Sequence, residues 1–126
     1  MKMLKIQDIT IDCQNPTALA HFWAQVLDWK IGEDGTEKWA YIEKNLTPTN
    51  SDGYPSILFY KTPDKKSVKN RMHLDLRPEN QIEEVERLEK IGAVRIEIGQ
   101  SSDPSTTWIV MADPEGNEFC VLKGLS

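Results

Sequence analysis

The chain has 126 residues, and its 15 basic and 20 acidic residues give a formal net charge of -5. A chain of this length fits a single domain, which can bury roughly two thirds of its unfolded surface in one core. The charged residues form no long run of one sign, and their net negative charge argues against nucleic acid or an anionic membrane as a partner. No segment approaches the about 18 consecutive apolar residues of a membrane span.

The first half of the chain predicts a strand, a helix and three further strands. Residues 4–13 alternate between apolar and polar side chains, which is the period of a half-buried strand. Asn15 and Pro16 predict the start of a helix, because Asn caps free amides and Pro is tolerated in the first turn. An apolar stripe continues this helix to about Trp29. Short strands are expected at 29–31, 38–43 and 56–61.

The second half repeats this order. Residues 71–77 alternate as a strand, residues 78–80 open a second helix, and Gly92 ends it. Three strands are expected at 94–98, 107–111 and 118–122. We interpret the repeated βαβββ order as two modules within one domain of residues 1–126, the first at 1–62 and the second at 71–126. An ordinary α+β sandwich is the alternative.

Three segments resemble the glyoxalase, bleomycin-resistance and dioxygenase superfamily, also called the vicinal oxygen chelate superfamily, and its glyoxalase-like domain branch in particular. They are NPTALAHFWAQVL at 15–27, KNRMHLDL at 69–76 and ADPEGNEFCVL at 112–122. The resemblance covers essentially the whole chain. It implies an α+β fold in which two βαβββ modules form paired curved mixed sheets around a central cavity, with the helices outside, and it implies a homodimer.

Metal-dependent members of the superfamily carry four ligands in this cavity. Position by position, the resemblance assigns these ligands to Asp8, to the neighbourhood of Phe59, to His73 and to Cys120. Only His73 has the expected residue type, and Asp8, His73 and Cys120 would form at most a three-donor divalent-metal site, for instance for zinc. The incomplete set favours a metal-free protein. No nucleotide or flavin cofactor is expected, and the chain has no glycine-rich phosphate loop.

The polar sides of the first, fifth and eighth strands supply the other candidates. His73 and Glu118 are the candidate catalytic residues, because an imidazole exchanges protons near neutral pH and Glu118 shares a strand face with Cys120. Aromatic walls suit a flat organic ligand, although a core or dimer-interface role is the alternative for these rings. The predicted ligand-binding set is Asp8, Trp39, Phe59, His73, Trp108, Glu118 and Cys120.

A basic run precedes the second module, and we interpret it as a solvated link, with attraction of an anionic ligand as the alternative. It comprises Lys65, Lys66, Lys69 and Arg71. Cys13 and Cys120 lie in apolar runs, which predicts buried thiols in a reducing cytoplasm.

The function that these patterns favour is binding or sequestration of a small organic molecule, without a complete metal site. The alternative is a divalent-metal-dependent lyase, isomerase or dioxygenase-type enzyme that polarises vicinal oxygens of its substrate. A small dimerising module that acts through a partner protein is a third class.

Overall fold

The computed structural model describes residues 3–44 and 54–125. The chain forms two compact units, Met1–Lys65 and Lys66–Ser126, which we call the N-terminal and C-terminal units. Across the described residues each unit contains a strand, a helix and three more strands, in the order that the sequence predicts. The α+β class with mixed sheets is therefore confirmed. Within residues 3–44 and 54–125, neither helix has the length and apolar character of a membrane span.

The N-terminal unit is a four-stranded mixed sheet with one helix. Its elements are β1 (Asp8–Cys13), α1 (Pro16–Leu27), β2 (Lys30–Ile31), β3 (Trp39–Glu43) and β4 (Ser56–Lys61). The strand order is β1-β4-β3-β2, in which β1 and β4 are parallel and the other pairs antiparallel. Helix α1 begins as predicted, because the Asn15 side chain accepts a hydrogen bond of 3.1 Å from the Ala18 amide and Pro16 follows it.

The two faces of the N-terminal sheet differ in burial. On one face the register aligns Ala40 with Phe59 and Ile42 with Ile57, and all four residues are buried. Helix α1 packs against β3 and β4 and buries its own apolar stripe, so this face forms the core of the unit. The opposite face, which we call the open face, is exposed or half-buried. It carries Asp8, Thr10, Asp12, Trp39, Tyr41, Leu58 and Tyr60.

Phe59, which the sequence analysis includes in the ligand-binding set with a core role as the alternative, lies on the core face. It aligns with Ile11 of β1 and Ala40 of β3, and it is 0% exposed. Successive residues of a strand point to opposite faces, so a shift of one position separates a core residue from a ligand-facing one. The open-face residues on either side of it are Leu58 and Tyr60.

The C-terminal unit repeats the arrangement. Its elements are β5 (Asp75–Leu76), α2 (Gln81–Lys90), β6 (Val94–Arg95), a short 3-10 helix (Gln100–Ser102), β7 (Ile109–Ala112) and β8 (Glu118–Val121). The strand order is β5-β8-β7-β6, and β5 runs parallel to β8. Helix α2 begins where the Asn80 side chain accepts a hydrogen bond of 3.0 Å from the Glu83 amide, and it buries Val85 and Leu88.

Two strands of this unit are shorter than predicted. The strand expected at 71–77 is limited to Asp75–Leu76, and the segment that precedes it contacts Glu118 and Asn117 through Lys66 and Asn70. The strand expected at 94–98 ends at Arg95. The Ile98 amide there donates to the Gln100 side chain, and the chain turns into the 3-10 helix.

The DPEGN segment at 113–117 forms a tight turn between β7 and β8. Asp113 is buried, and its Oδ1 accepts hydrogen bonds of 2.9 Å from the amides of both Glu115 and Asn117. Gly116 has a φ of 88°, a conformation that favours glycine. This part of the third segment that carries the family resemblance therefore has a structural role, because it sets where β8, with Glu118 and Cys120, begins.

Candidate functional site

Three side chains capable of proton transfer or metal binding lie together in the C-terminal unit. His73 and Asp75 share one side of the chain leading into β5, and the register aligns Asp75 with Cys120 of β8. The Nε2 atom of His73 is 3.2 Å from Oδ1 of Asp75. One ligand atom from each of His73, Asp75 and Cys120 lies within 4.8 Å of the other two. The structure thus brings together two of the predicted site residues, His73 and Cys120.

The Cys120 thiol is protonated at neutral pH. Burial raises the pKa of Cys120 to about 11, and the Asp75 carboxylate adds to this rise by its charge and by accepting a hydrogen bond from the thiol. The same carboxylate lies within hydrogen-bonding distance of His73, which is partly exposed. When no metal is bound, Asp75 therefore contacts both His73 and Cys120, and the polar groups of the cluster satisfy one another's hydrogen-bonding capacity.

The cluster fits a soft or borderline metal better than a hard one. A nitrogen, an oxygen and a sulfur donor match the three protein ligands of an open zinc site, whereas manganese and magnesium prefer oxygen-rich sets. In a tetrahedral zinc site the ligand atoms are about 3.5 Å apart. Donors separated by up to 4.8 Å would have to move closer, and the thiol would have to lose its proton.

Asp75 is the third donor that the structure brings to His73 and Cys120 within the C-terminal unit. The sequence analysis predicts Asp8 for this position, and Asp8 belongs to the N-terminal unit, where it lies exposed on β1. The alternation of 71–77 places His73 and Asp75 on the same side of the chain. The sequence pattern could therefore have identified Asp75 as a neighbour of His73, because residues two apart on a strand share a face.

Glu118, the second predicted catalytic residue, is buried and ion-paired. It is 8% exposed, its Oε1 is 2.7 Å from Lys66 Nζ, and its Oε2 accepts a hydrogen bond of 3.0 Å from the Asn70 amide. Burial raises the pKa of this carboxyl group, but Lys66 and the Asn70 amide outweigh that effect and hold the pKa of Glu118 below its usual value. Glu118 is therefore ionised at neutral pH. Its contacts anchor the 66–70 segment, so Lys66 is not the solvated link residue that the basic run predicts.

The open face of the N-terminal unit presents a fixed aromatic pair. The rings of Trp39 and Tyr41 are stacked, with centroids 5.9 Å apart and an interplanar angle of 21°. The Tyr41 hydroxyl donates a hydrogen bond of 2.6 Å to Asp34, and this bond, together with burial and the nearby carboxylate charges, raises the pKa of Tyr41 to about 12. The Tyr41 ring also lies directly against Gly32, where an added Cβ would approach a ring carbon to 2.0 Å. The absence of a side chain at Gly32 therefore allows the ring to take this position.

Two further residues extend the aromatic pair across β4. Tyr60 aligns with Trp39 and Leu58 aligns with Tyr41, and Tyr60 is 50% exposed. The sequence analysis names Trp39 as a ligand-binding residue, and it does not name Leu58 or Tyr60, which lie on the same face. Trp108, the other predicted aromatic residue, is half-buried and directly precedes β7 in the C-terminal unit.

Two βαβββ units, each with a four-stranded mixed sheet, define the class of vicinal oxygen chelate folds. The chain belongs to the glyoxalase-like domain family, whose family model matches residues 8–122. A search of the curated proteins found no match.

Solved structures share this fold over nearly the whole chain. A glyoxalase/bleomycin resistance protein/dioxygenase family enzyme from Burkholderia phytofirmans is 19% identical, with a TM-score of 0.68 over 97% of this chain and 100% of its own. The bleomycin-binding protein of Streptomyces verticillus, complexed with copper(II)-bleomycin, is 14% identical, with a TM-score of 0.60 over 98% and 99% of the two chains.

A third structure is a mutant of the fosfomycin resistance protein from Listeria monocytogenes, complexed with manganese(II) and a dihydroxypropylphosphonic acid. It is 12% identical, with a TM-score of 0.69 over 98% of this chain and 92% of its own. At such identities the similarity establishes the fold, and the chemistry has to be argued from the site.

Proposed function

We propose that this protein binds a small organic molecule with a planar aromatic ring on the open face of its N-terminal sheet, without a complete metal site. The observation that carries the proposal is the stacked pair of Trp39 and Tyr41 on a face that is not buried. Aromatic side chains have few rotatable bonds and a large contact area, so a prepositioned pair loses little entropy when a flat ligand stacks on it.

Two further observations support this proposal. The ring of Tyr41 is fixed by Asp34 and Gly32, so the surface exists before the ligand arrives. In the C-terminal unit, Asp75 already satisfies His73 and Cys120, and Glu118 is engaged by Lys66. The bleomycin-binding protein of Streptomyces verticillus, which has this fold, also binds an organic ligand.

Binding is testable by calorimetric titration with naphthylmethanol, a neutral planar probe. We expect saturable binding, weakened about tenfold by Trp39→Leu, because the ring–ring contact is lost. The matched control is Trp29→Leu, which removes an identical ring from a position beside Tyr54, outside the open face. The proposal fails if no naphthalene compound binds, or if the two tryptophan variants weaken binding equally.

The second candidate function is that of a metal-dependent enzyme, and the observation that favours it is the proximity of His73, Asp75 and Cys120. A zinc ion held by these side chains would act as a Lewis acid towards the vicinal oxygens of a substrate. Its binding would displace the Cys120 proton, so the affinity for zinc should increase as the pH rises towards 11. Calorimetry of chelator-treated protein with zinc should then show one site that His73→Ala removes. Failure to bind zinc would exclude this candidate.

We further propose that the protein is a homodimer in a reducing cytoplasm. Cys13 and Cys120 are buried and form no disulfide within the described residues, which suits a reducing compartment. Val94 on the edge strand β6 and Ile98 beyond it are 59% and 44% exposed, which offers apolar surface to a second copy. Sedimentation equilibrium at micromolar concentration should give the mass of two chains, and the mass of a single chain would contradict the dimer.

A further inference from the structure

We propose that the ligand of the open face is a planar aromatic cation. This inference rests on the proposed function, since it specifies the charge of the molecule that the same face binds. Two carboxylates, Asp8 and Asp12, lie on β1 on the same side of the sheet as the aromatic residues.

The sheet register arranges these groups in rows across three strands. Asp12 aligns with Tyr60, and Tyr60 with Trp39, so a carboxylate and two aromatic rings form one row. Thr10, Leu58 and Tyr41 form the next row in the same way. Neighbouring strands are about 4.8 Å apart, so a ring stacked over Trp39 and Tyr60 has its edge within reach of Asp12.

Asp8 begins a third row. It aligns with Ser56, whose hydroxyl donates to Glu43 at 3.1 Å. Alternate residues of a strand are about 6.6 Å apart, so Thr10 separates the two β1 carboxylates by about 13 Å. An ammonium group on one side of a flat ring can thus meet Asp12, and a second cationic group can reach Asp8.

These two carboxylates have no cationic partner within the part of the chain that the structure describes. Neither forms an ion pair or a hydrogen bond there, and both side chains are exposed. Among the described strand residues of the N-terminal sheet, one basic residue, Lys30, lies on the open face. It aligns with Glu43 and belongs to β2, at the edge of the sheet opposite β1. Lys61 aligns with Cys13 and so belongs to the core face. The open face is therefore acidic and aromatic.

This combination favours a cation twice over. A carboxylate attracts the ammonium group, and the faces of Trp39, Tyr41 and Tyr60 attract the same positive charge through their π electrons. The same carboxylates repel an anion. The open face therefore suits the opposite charge from a phosphonate of the kind bound to the fosfomycin resistance protein of Listeria monocytogenes.

Three naphthalene probes of matched size test the charge preference: naphthylmethylamine as the cation, naphthylmethanol as the neutral compound and naphthoate as the anion. Calorimetric titration of the full chain at low salt should show the cation binding about tenfold more tightly than the neutral compound, and the anion binding most weakly. Added salt should reduce the affinity for the cation while leaving that for the neutral compound unchanged.

The double variant Asp8→Asn/Asp12→Asn assigns the preference to these residues. It should reduce the ratio of the affinity for naphthylmethylamine to the affinity for naphthylmethanol from about ten to about one. The matched control is Asp64→Asn/Glu86→Gln, which removes two exposed carboxylates that do not lie on the strands of the N-terminal sheet and should change neither affinity. All four substitutions are near-isosteric and lie at exposed positions, and a thermal unfolding curve verifies that each variant is folded.

The outcomes separate the inference from the function on which it rests. Equal affinities for the three probes, or an unchanged charge preference in Asp8→Asn/Asp12→Asn, would overturn the inference and leave binding of planar molecules intact. No binding of any probe would overturn both.

Discussion

Replacement of Lys66 by methionine is expected to reduce the free energy of unfolding by about 3 kcal/mol at pH 7, because it leaves a buried carboxylate without its cation. Glu118 is 8% exposed, and Lys66 Nζ lies 2.7 Å from it. The methylene stem of Lys66 is retained by methionine, so the loss comes from the charge. Urea unfolding of the variant and of the parent protein measures this difference.

The pH dependence of the same experiment identifies the carboxylate. In the parent protein the pKa of Glu118 is lowered, so its contribution to stability is present above its ordinary pKa of 4.5 and is lost as the pH falls through the lower value of the folded state. Without Lys66, burial raises the pKa of Glu118, and protonation of this carboxylate removes the cost of the unpaired buried charge in the variant. The difference between the two proteins should therefore shrink at pH 4.

Two further variants control this prediction. Lys66→Met/Glu118→Gln should recover most of the lost stability, because a neutral amide replaces the unpaired charge and still accepts a hydrogen bond from the Asn70 amide. Lys65→Met removes the same charge from an exposed neighbour and should change stability by less than about 0.5 kcal/mol. A similar loss for Lys65→Met and Lys66→Met would contradict the ion pair as its cause.

Phe59→Ala is expected to reduce the free energy of unfolding by about 3–5 kcal/mol, since it opens a cavity between the sheet and α1. Phe59 is 0% exposed and aligns with buried Ala40. Tyr60→Ala, one residue further along β4, removes a ring that is 50% exposed, and it should affect the affinity for naphthylmethanol more than stability. Urea unfolding and calorimetric titration of both variants measure the two effects.

A milder variant keeps this prediction testable if Phe59→Ala does not fold. Phe59→Leu should reduce the free energy of unfolding by about 1 kcal/mol and bind naphthylmethanol as the parent does. The reverse pattern, in which Phe59→Leu loses binding and Tyr60→Ala loses stability, would show that the two faces of the N-terminal sheet have been assigned the wrong way round.

The order of the elements was predictable because its signals are local. The cap at Asn15, the apolar stripe of α1 and the alternation of β1 all depend on residues a few positions apart. Strand β5 was predicted too long because its end depends on contacts that are distant in sequence. The partner strand β8 lies near the end of the chain, so no local pattern shows that the pairing of β5 with β8 begins only at Asp75.

The site was predicted less completely than the fold, for two physical reasons. A family position transferred to β4 with an error of one residue selects the opposite face of the sheet, and Phe59 lies on the core face whereas Leu58 and Tyr60 lie on the open face. Whether a candidate donor is engaged also depends on its neighbours in space. From the sequence Glu118 is either a carboxylate at the mouth of the cavity or a paired surface charge, and the structure shows it buried and paired with Lys66.

The amide spectrum of the protein, recorded by nuclear magnetic resonance during a titration with naphthylmethylamine, tests most directly whether the open face is the ligand site. The account predicts that the amide signals of Thr10, Tyr41, Leu58 and Tyr60 shift in a saturable way. Shifts confined to His73, Asp75 and Cys120, with the signals of β1, β3 and β4 unchanged, would contradict it.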